Sequence, residues 1–311
     1  MKKIENFSHN PVLLKECVLG LNIKPGGVYV DATVGGAGHS TEIAKRLENG
    51  GRLFAFDRDP DAVLVSKARL SKYPAEVINS NFCEMQNCLK ERGVQQVDGV
   101  LIDLGVSSYQ LDNPERGFSY RNDGKLDMRM SKKGVTAAEI VNTFSEKELV
   151  DILKRYGQER FARSIAANIV RRRSQKLIET TLDLADIIKF SIPAKFRRNK
   201  NPCKKSFQAI RIAVNGELDA IETGLAAAFE LLKVGGRLLV ITFHSLEDRL
   251  VKRRYMDWSR GCLCPAESPI CVCGNVPRAK LINKKAIKPS DLEMSLNPRS
   301  KSAKLRILEK L

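Results

Sequence analysis

The chain has 311 residues, 43% of them hydrophobic and 29% charged, which is enough to bury one large core or two modest ones, and two domains are expected. No apolar run approaches membrane-spanning length, and the opening Met1-Lys2-Lys3-Ile4-Glu5-Asn6 is not followed by the apolar core of a signal peptide, so the expectation is a cytoplasmic protein with no membrane partner. The net charge of +17 is unevenly placed: residues 1–150 balance at 20 basic and 20 acidic side chains, whereas residues 151–210 carry 15 against 5 and residues 251–311 carry 14 against 5. Segregated positive charge is the footprint of a phosphate backbone, and nucleic acid is the favoured partner over a merely solvated basic face.

In chain order, strand-like runs fall at 28–31, 52–57, 76–79 and 99–104, separated by stretches long enough for helices, the pattern of a parallel α/β sheet. The next core strand, 236–243, comes about 130 residues after Leu104 and follows a helix over 217–232 whose Leu218, Ile221, Leu225, Phe229 and Leu232 share one face. What lies between is too long for a loop. It carries helical patterns of its own, such as Phe161, Ile165 and Ile169, and predicts a mostly helical domain over 110–205 inserted into a sheet domain made of 1–109 and 206–311. The basic excess marks the insert as a substrate platform. The alternating end, Ala303 to Lys310, predicts an edge strand.

The first strand runs Val28-Tyr29-Val30-Asp31 into the glycine-rich turn Gly35-Gly36-Ala37-Gly38-His39-Ser40, and a helical pattern follows. Glycine lets backbone approach a ligand closely, and the second strand ends in Asp57 at the spacing of a carboxylate that binds a ribose hydroxyl pair. Thr41 stands where a dinucleotide fingerprint needs its third glycine, so that fingerprint fails. Asp31-x-Thr33-x-Gly35-x-x-Gly38 resembles instead the first motif of class I methyltransferases, which bind S-adenosylmethionine, a ligand with no phosphate to cradle.

Asp103 ends the fourth strand at the carboxyl edge of the sheet, where an acceptor amine or the cofactor is held. The nitrogen of an exocyclic amine has its lone pair conjugated with the base, so a catalyst must accept its protons and align it with the methyl group, which Asp103 is suited to do. In Phe243-His244-Ser245-Leu246-Glu247-Asp248, Ser245 and Asp248 have capping-box spacing, and His244 is the residue suspected of a catalytic role. His39 either donates to the cofactor or satisfies its own loop. Cys262, Cys264, Cys271 and Cys273 form two close thiol pairs that could enclose a structural zinc ion or remain free; Cys17, Cys83, Cys88 and Cys203 read as packing residues.

Taken together the chain resembles the bacterial small-subunit (16S) ribosomal RNA cytosine-N4 methyltransferases. The resemblance rests on His9-Asn10-Pro11-Val12-Leu13-Leu14, Asp57-Arg58-Asp59-Pro60, Asp103-Leu104-Gly105-Val106-Ser107-Ser108-Tyr109-Gln110, Arg116-Gly117-Phe118-Ser119, Leu126-Asp127-Met128-Arg129-Met130, Tyr156-Gly157-Gln158-Glu159-Arg160-Phe161, Phe207-Gln208-Ala209, the run from Phe243 to Arg249 and Asn297-Pro298-Arg299. It implies a class I, Rossmann-like methyltransferase sheet, transfer of a methyl group to N4 of a cytidine in the decoding region, and ribosomal RNA or the 30S subunit as partner. It also implies that Ala37, Gly38, His39, Asp57, Phe82, Asp103 and Gln110 line the S-adenosylmethionine site. The fourth-strand motif lacks the Asp/Asn-Pro-Pro-aromatic tetrad of DNA amino-methyltransferases, and the cysteines lie outside the family pattern. The competing functions are a DNA amino-methyltransferase and a non-catalytic RNA-binding ribosome assembly factor.

Overall fold

A computed structural model describes residues 11–197, 201–262, 264, 270 and 272–311. His9, Asn10, Arg198 and Cys271 lie outside the described residues. The chain divides into two compact units, one formed by residues 1–105 with 219–311 and the other by 106–218.

The first unit is built on a seven-stranded sheet in the order β3-β2-β1-β4-β5-β7-β6. Helix α1 (Leu14–Leu21) leads into β1 (Val28–Asp31), α2 (Gly38–Ala44), β2 (Arg52–Asp57), α3 (Pro60–Leu70), β3 (Ala75–Asn79), α4 (Met85–Lys90) and β4 (Val97–Asp103). These strands are short, nearly unbroken apolar runs, Leu53 to Phe56 and Val100 to Ile102 being fully buried, as a parallel sheet covered on both faces requires. β1 pairs in parallel with β2 on one side and β4 on the other, so the strand order reverses between β1 and β4. The crevice outside the carboxyl ends of those two strands is where α/β sheets bind ligands.

The second unit interrupts this sheet after β4, with α5 (Ser108–Asp112), α6 (Ala137–Thr143), α7 (Glu146–Gly157), α8 (Ala162–Arg173), α9 (Thr181–Ser191) and α10 (Lys204–Asn215). α6 and α7 each start with a reciprocal capping box, Thr136 with Glu139 and Ser145 with Glu148. Ile165, Ile169, Leu184, Ile188, Phe207 and Ile210 fill its core. The motifs at 116–118 and 126–130 are scaffold: the buried Arg116 guanidinium donates to the carbonyls of Arg129 and Met130, each at 3.0 Å, and Asn215 clamps the same segment through Met128 O and Met130 N. Gly117, at φ +72°, leaves no room for a Cβ beside the Lys125 carbonyl.

α11 (Glu217–Leu231) returns the chain to the sheet through β5 (Leu232–Thr242), followed by α12 (Ser245–Ser259), β6 (Ala279–Leu281), α13 (Asp291–Leu296) and β7 (Lys304–Lys310). β5 slips register against β4 between its Leu232 and Arg237 pairings, around Gly235 at φ +77°. β7 is an interior strand, which corrects the expectation of an edge: it runs antiparallel between β5 and β6. Its alternation serves two faces. Leu305 and Ile307 enter the core with α1 residues, while Lys304 and Arg306 both reach Asp248 on α12.

Candidate cofactor site at the sheet switch point

The glycine loop is tied down from several directions. Gly35 sits at φ +47° and donates its N–H to Asp57 Oδ2 at 2.9 Å, and the Arg69 guanidinium of α3 donates to Gly36 O at 2.7 Å. Ala37 takes a left-handed φ of 62°, a strained setting for a residue with a Cβ. Gly38 faces the Pro11 ring so closely that any Cβ would collide with it. Thr41 departs from the dinucleotide pattern for a local reason: its hydroxyl bonds back to Ala37 O at 2.6 Å and closes the first turn of α2.

Asp57 ends β2 as a carboxylate held by main-chain donors. Its Oδ1 takes the N–H of Asp59 at 2.8 Å and its Oδ2 that of Gly35, and burial pushes its carboxyl up to about 6 against those two hydrogen bonds. Each oxygen keeps lone-pair capacity for further donors. Phe82, just after β3, packs its ring on Gly224 of α11, where a Cβ would overlap it. A helix-interior glycine is costly in itself, and here it gives the aromatic ring its seat.

Asp103 ends β4 beside β1. Its main-chain N–H donates to Thr33 Oγ1 at 2.7 Å, pinning the end of β4 to the end of β1, and its Oδ1 is buried with no hydrogen-bond partner among the described residues. Its Oδ2 lies 3.8 Å from His39 Nδ1. His39 is buried, and its Nε2 donates to Val12 O at 3.0 Å. Asp31, also buried, accepts from Ser40 Oγ at 2.6 Å and Thr33 N at 3.2 Å. Burial, with the neighbouring Asp31 and Glu247 carboxylates, raises the Asp103 carboxyl well above the usual range; burial likewise raises Asp31 and lowers His39. An unpartnered buried acceptor costs about 1–3 kcal/mol.

His244 serves as the N-cap of α12, which corrects the expected Ser245 and Asp248 box. Glu247 closes the box instead, its Oε2 accepting from Phe243 N at 2.7 Å and His244 N at 3.1 Å, while Glu247 N points to His244 Nδ1 at 3.5 Å. The His244 Nε2 lies 3.0 Å from Glu247 Oε1. Glu247 is fully buried and was missed by sequence reasoning, although its place three residues after His244 is a capping signal. Asp248 is committed to β7. Gln110 belongs to the second unit, where its Oε1 accepts from Ser107 N at 3.0 Å in the capping box of α5.

Of the cysteine cluster, Cys262, Cys264 and Cys273 bring their Sγ atoms within 4.8 Å of one another, and Cys273 Sγ lies 3.8 Å from Cys262 Sγ. Backbone hydrogen bonding from Val272 lowers the Cys264 thiol, with Cys262 acting in the same direction. Cys17 and Cys203 are buried, as packing residues should be, while Cys83 and Cys88 are only partly covered.

A sheet that reverses order at β1/β4, a glycine loop tied to the end of β2 and a carboxylate acceptor ending β2 together define the class I methyltransferase arrangement. The chain belongs to the MraW methylase family, whose model matches residues 6–311. It is 53% identical over 308 residues to the ribosomal RNA small subunit methyltransferase H of Carboxydothermus hydrogenoformans, covering 98% of both chains. It is 50% identical over 312 residues to the protein of the same name from Lachnospira eligens, covering 99% of both.

Proposed function

We propose that the protein transfers the methyl group of S-adenosylmethionine to N4 of a cytidine in the decoding region of small-subunit ribosomal RNA, with the 30S subunit or its RNA as substrate. The observation that carries this reading is the orphaned, buried Oδ1 of Asp103 at the carboxyl end of β4. The residues present fit the cofactor: Asp57 offers two rigid acceptors for a ribose diol, the backbone at Gly35 is open to close approach, and Phe82 offers an apolar face seated on Gly224.

When bound, the cofactor supplies an electrophilic methyl on a sulfonium sulfur. Asp57 holds the ribose end. Asp103 accepts from the amino group of the cytosine and so fixes the nitrogen in line with the methyl carbon, an arrangement in which positioning supplies most of the rate. Methyl transfer to the amino nitrogen would release a proton from it, and Asp103 is the carboxylate placed to take that proton. The nearby positive charge of the sulfonium favours the ionised form of Asp103 that this requires. His39, anchored through Nε2 on Val12 O, packs its Nδ1 3.8 Å from Asp103 Oδ2, and His244 contributes by setting the start of α12. Cys262, Cys264, Cys271 and Cys273 are read as ligands of one structural zinc ion, a reading supported by the convergence of three of the thiols.

Tritiated methyl transfer to 30S subunits compared with duplex DNA tests the function. Label in DNA alone would make the protein a DNA amino-methyltransferase. No heat on titration with S-adenosylmethionine would leave a non-catalytic assembly factor.

A further inference from the structure

The basic excess of residues 251–311 gathers at one place in the first unit. A cleft of about 380 Å³ is lined by Lys252, Lys284, Lys285, Ala286, Lys288, Lys304 and Arg306. Lys252 stands one helical turn beyond Asp248 on α12, and Lys304 and Arg306 project from the α12 face of β7. Asp248 answers two of these cations: although burial works against it, its hydrogen bonds to Arg306 (2.8 Å) and Lys304 (2.7 Å) bring its carboxyl below the usual range. Lys252, Lys284, Lys285 and Lys288 are exposed and have no carboxylate partner among the described residues.

The segment carrying three of these lysines is held in place. Ile287 and Leu305 exchange both main-chain hydrogen bonds, at 3.0 and 2.9 Å, and Ile307 N donates to Asn283 Oδ1 at 2.7 Å while Asn283 Nδ2 caps Lys285 O at 2.8 Å. Like charges are therefore crowded on a fixed frame, where a mobile loop would let them separate. A frame that keeps six cations along one cleft, only two of them paired with Asp248, is organised for a polyanion.

We propose that this cleft is an RNA-backbone anchor on the methyltransferase unit itself, gripping consecutive phosphates of the ribosomal RNA. The inference rests on the RNA reading above and deepens it. Lysines suit the task because they act as point charges toward phosphates without demanding a fixed bidentate geometry. Lys304 pairs in register with Thr242, next to Phe243 and His244, so the anchor adjoins the carboxyl end of β5 and the α12 start.

The test uses the full-length wild-type protein with small-subunit RNA and an amine-acylating reagent. RNA should protect Lys252, Lys284, Lys285 and Lys288 from acylation while Lys67 and Lys90, exposed on the same unit, stay reactive. A second arm replaces the three loop lysines (K284Q, K285Q, K288Q): the slope of log affinity for single-stranded RNA against log salt should fall by about 2, at about 0.7 per phosphate contact, with cofactor affinity unchanged. Methyl transfer to RNA with unprotected lysines and an unaltered slope would overturn the anchor and leave the enzymatic reading standing. Protection by inorganic polyphosphate but not by RNA would overturn it too, since the cleft would then hold small anions. Absence of methyl transfer from a protein that binds RNA and protects these lysines would instead strike at the enzymatic reading and support the anchor.

Discussion

His39 Nδ1 faces Asp103 Oδ2 at 3.8 Å while His39 Nε2 is spent on the Val12 carbonyl at 3.0 Å. A neutral imidazole that donates through Nε2 has only a lone pair left at Nδ1, so the side of Asp103 toward His39 meets an acceptor. Burial raises the Asp103 carboxyl and lowers the His39 imidazole. A sulfonium charge brought beside Asp103 would favour its ionised form, the acceptor that an amino group needs.

Asp103→Asn keeps the shape and removes the ionisable oxygen. Single-turnover methylation of 30S subunits should slow by roughly 10² or more, the scale of a lost general base, with a much smaller change in cofactor Kd. Wild-type turnover in this variant would assign Asp103 to packing.

Asp57 predicts a pH dependence of cofactor binding. Its carboxyl titrates at about 6 when free, and ribose hydroxyls donate best to the ionised form. Affinity should therefore hold above pH 6 and weaken as pH falls through it, by up to about tenfold per unit. Calorimetry in buffers of different ionisation enthalpy should show proton release on binding below pH 6. Asp57→Ala should cost about 1.5–3 kcal/mol of cofactor affinity, and Asp57→Asn should flatten the pH profile.

The arginine run at the end of α8 divides by role. Arg171 and Arg172 are exposed, and Arg171→Ser with Arg172→Ser should lower the salt slope of RNA binding by about 1–2. Arg173 instead donates to Val141 O at 2.8 Å and Phe144 O at 2.6 Å. Arg173→Ser should lower stability in a denaturant titration by about 1–3 kcal/mol, because two carbonyls lose a charged donor. An unchanged unfolding midpoint would return Arg173 to the RNA-binding set.

Protein purified without chelator or affinity tag should contain close to one zinc per chain, held by the cysteine cluster. Removing the metal should loosen the segment around residues 260–275 and leave cofactor affinity intact. Elemental analysis near zero would make the four cysteines free thiols.

The parallel strands and the carboxylates at their ends were legible because burial on both faces leaves unbroken apolar runs and because Asp57 and Asp103 each end such a run. Other features were hidden for physical reasons. β6 is three residues long with only Ala279 buried, too little pattern to read, and without it β7 looks like an edge. Histidine is an uncommon N-cap, so Ser245 drew attention away from His244 and Glu247. The sequence distinguishes neither Arg173 from Arg172 nor the core that receives Phe207, since helical periodicity reports a buried face without saying against what.

Methyl transfer is measured by incubating the protein with tritiated S-adenosylmethionine and 30S subunits from a strain lacking this activity, then digesting the RNA to nucleosides for mass spectrometry. The account predicts label in N4-methylcytidine at one decoding-region position, approaching one methyl per subunit, and none in duplex DNA. Label in another nucleoside, label in duplex DNA, or no transfer by a protein that binds the cofactor would contradict it.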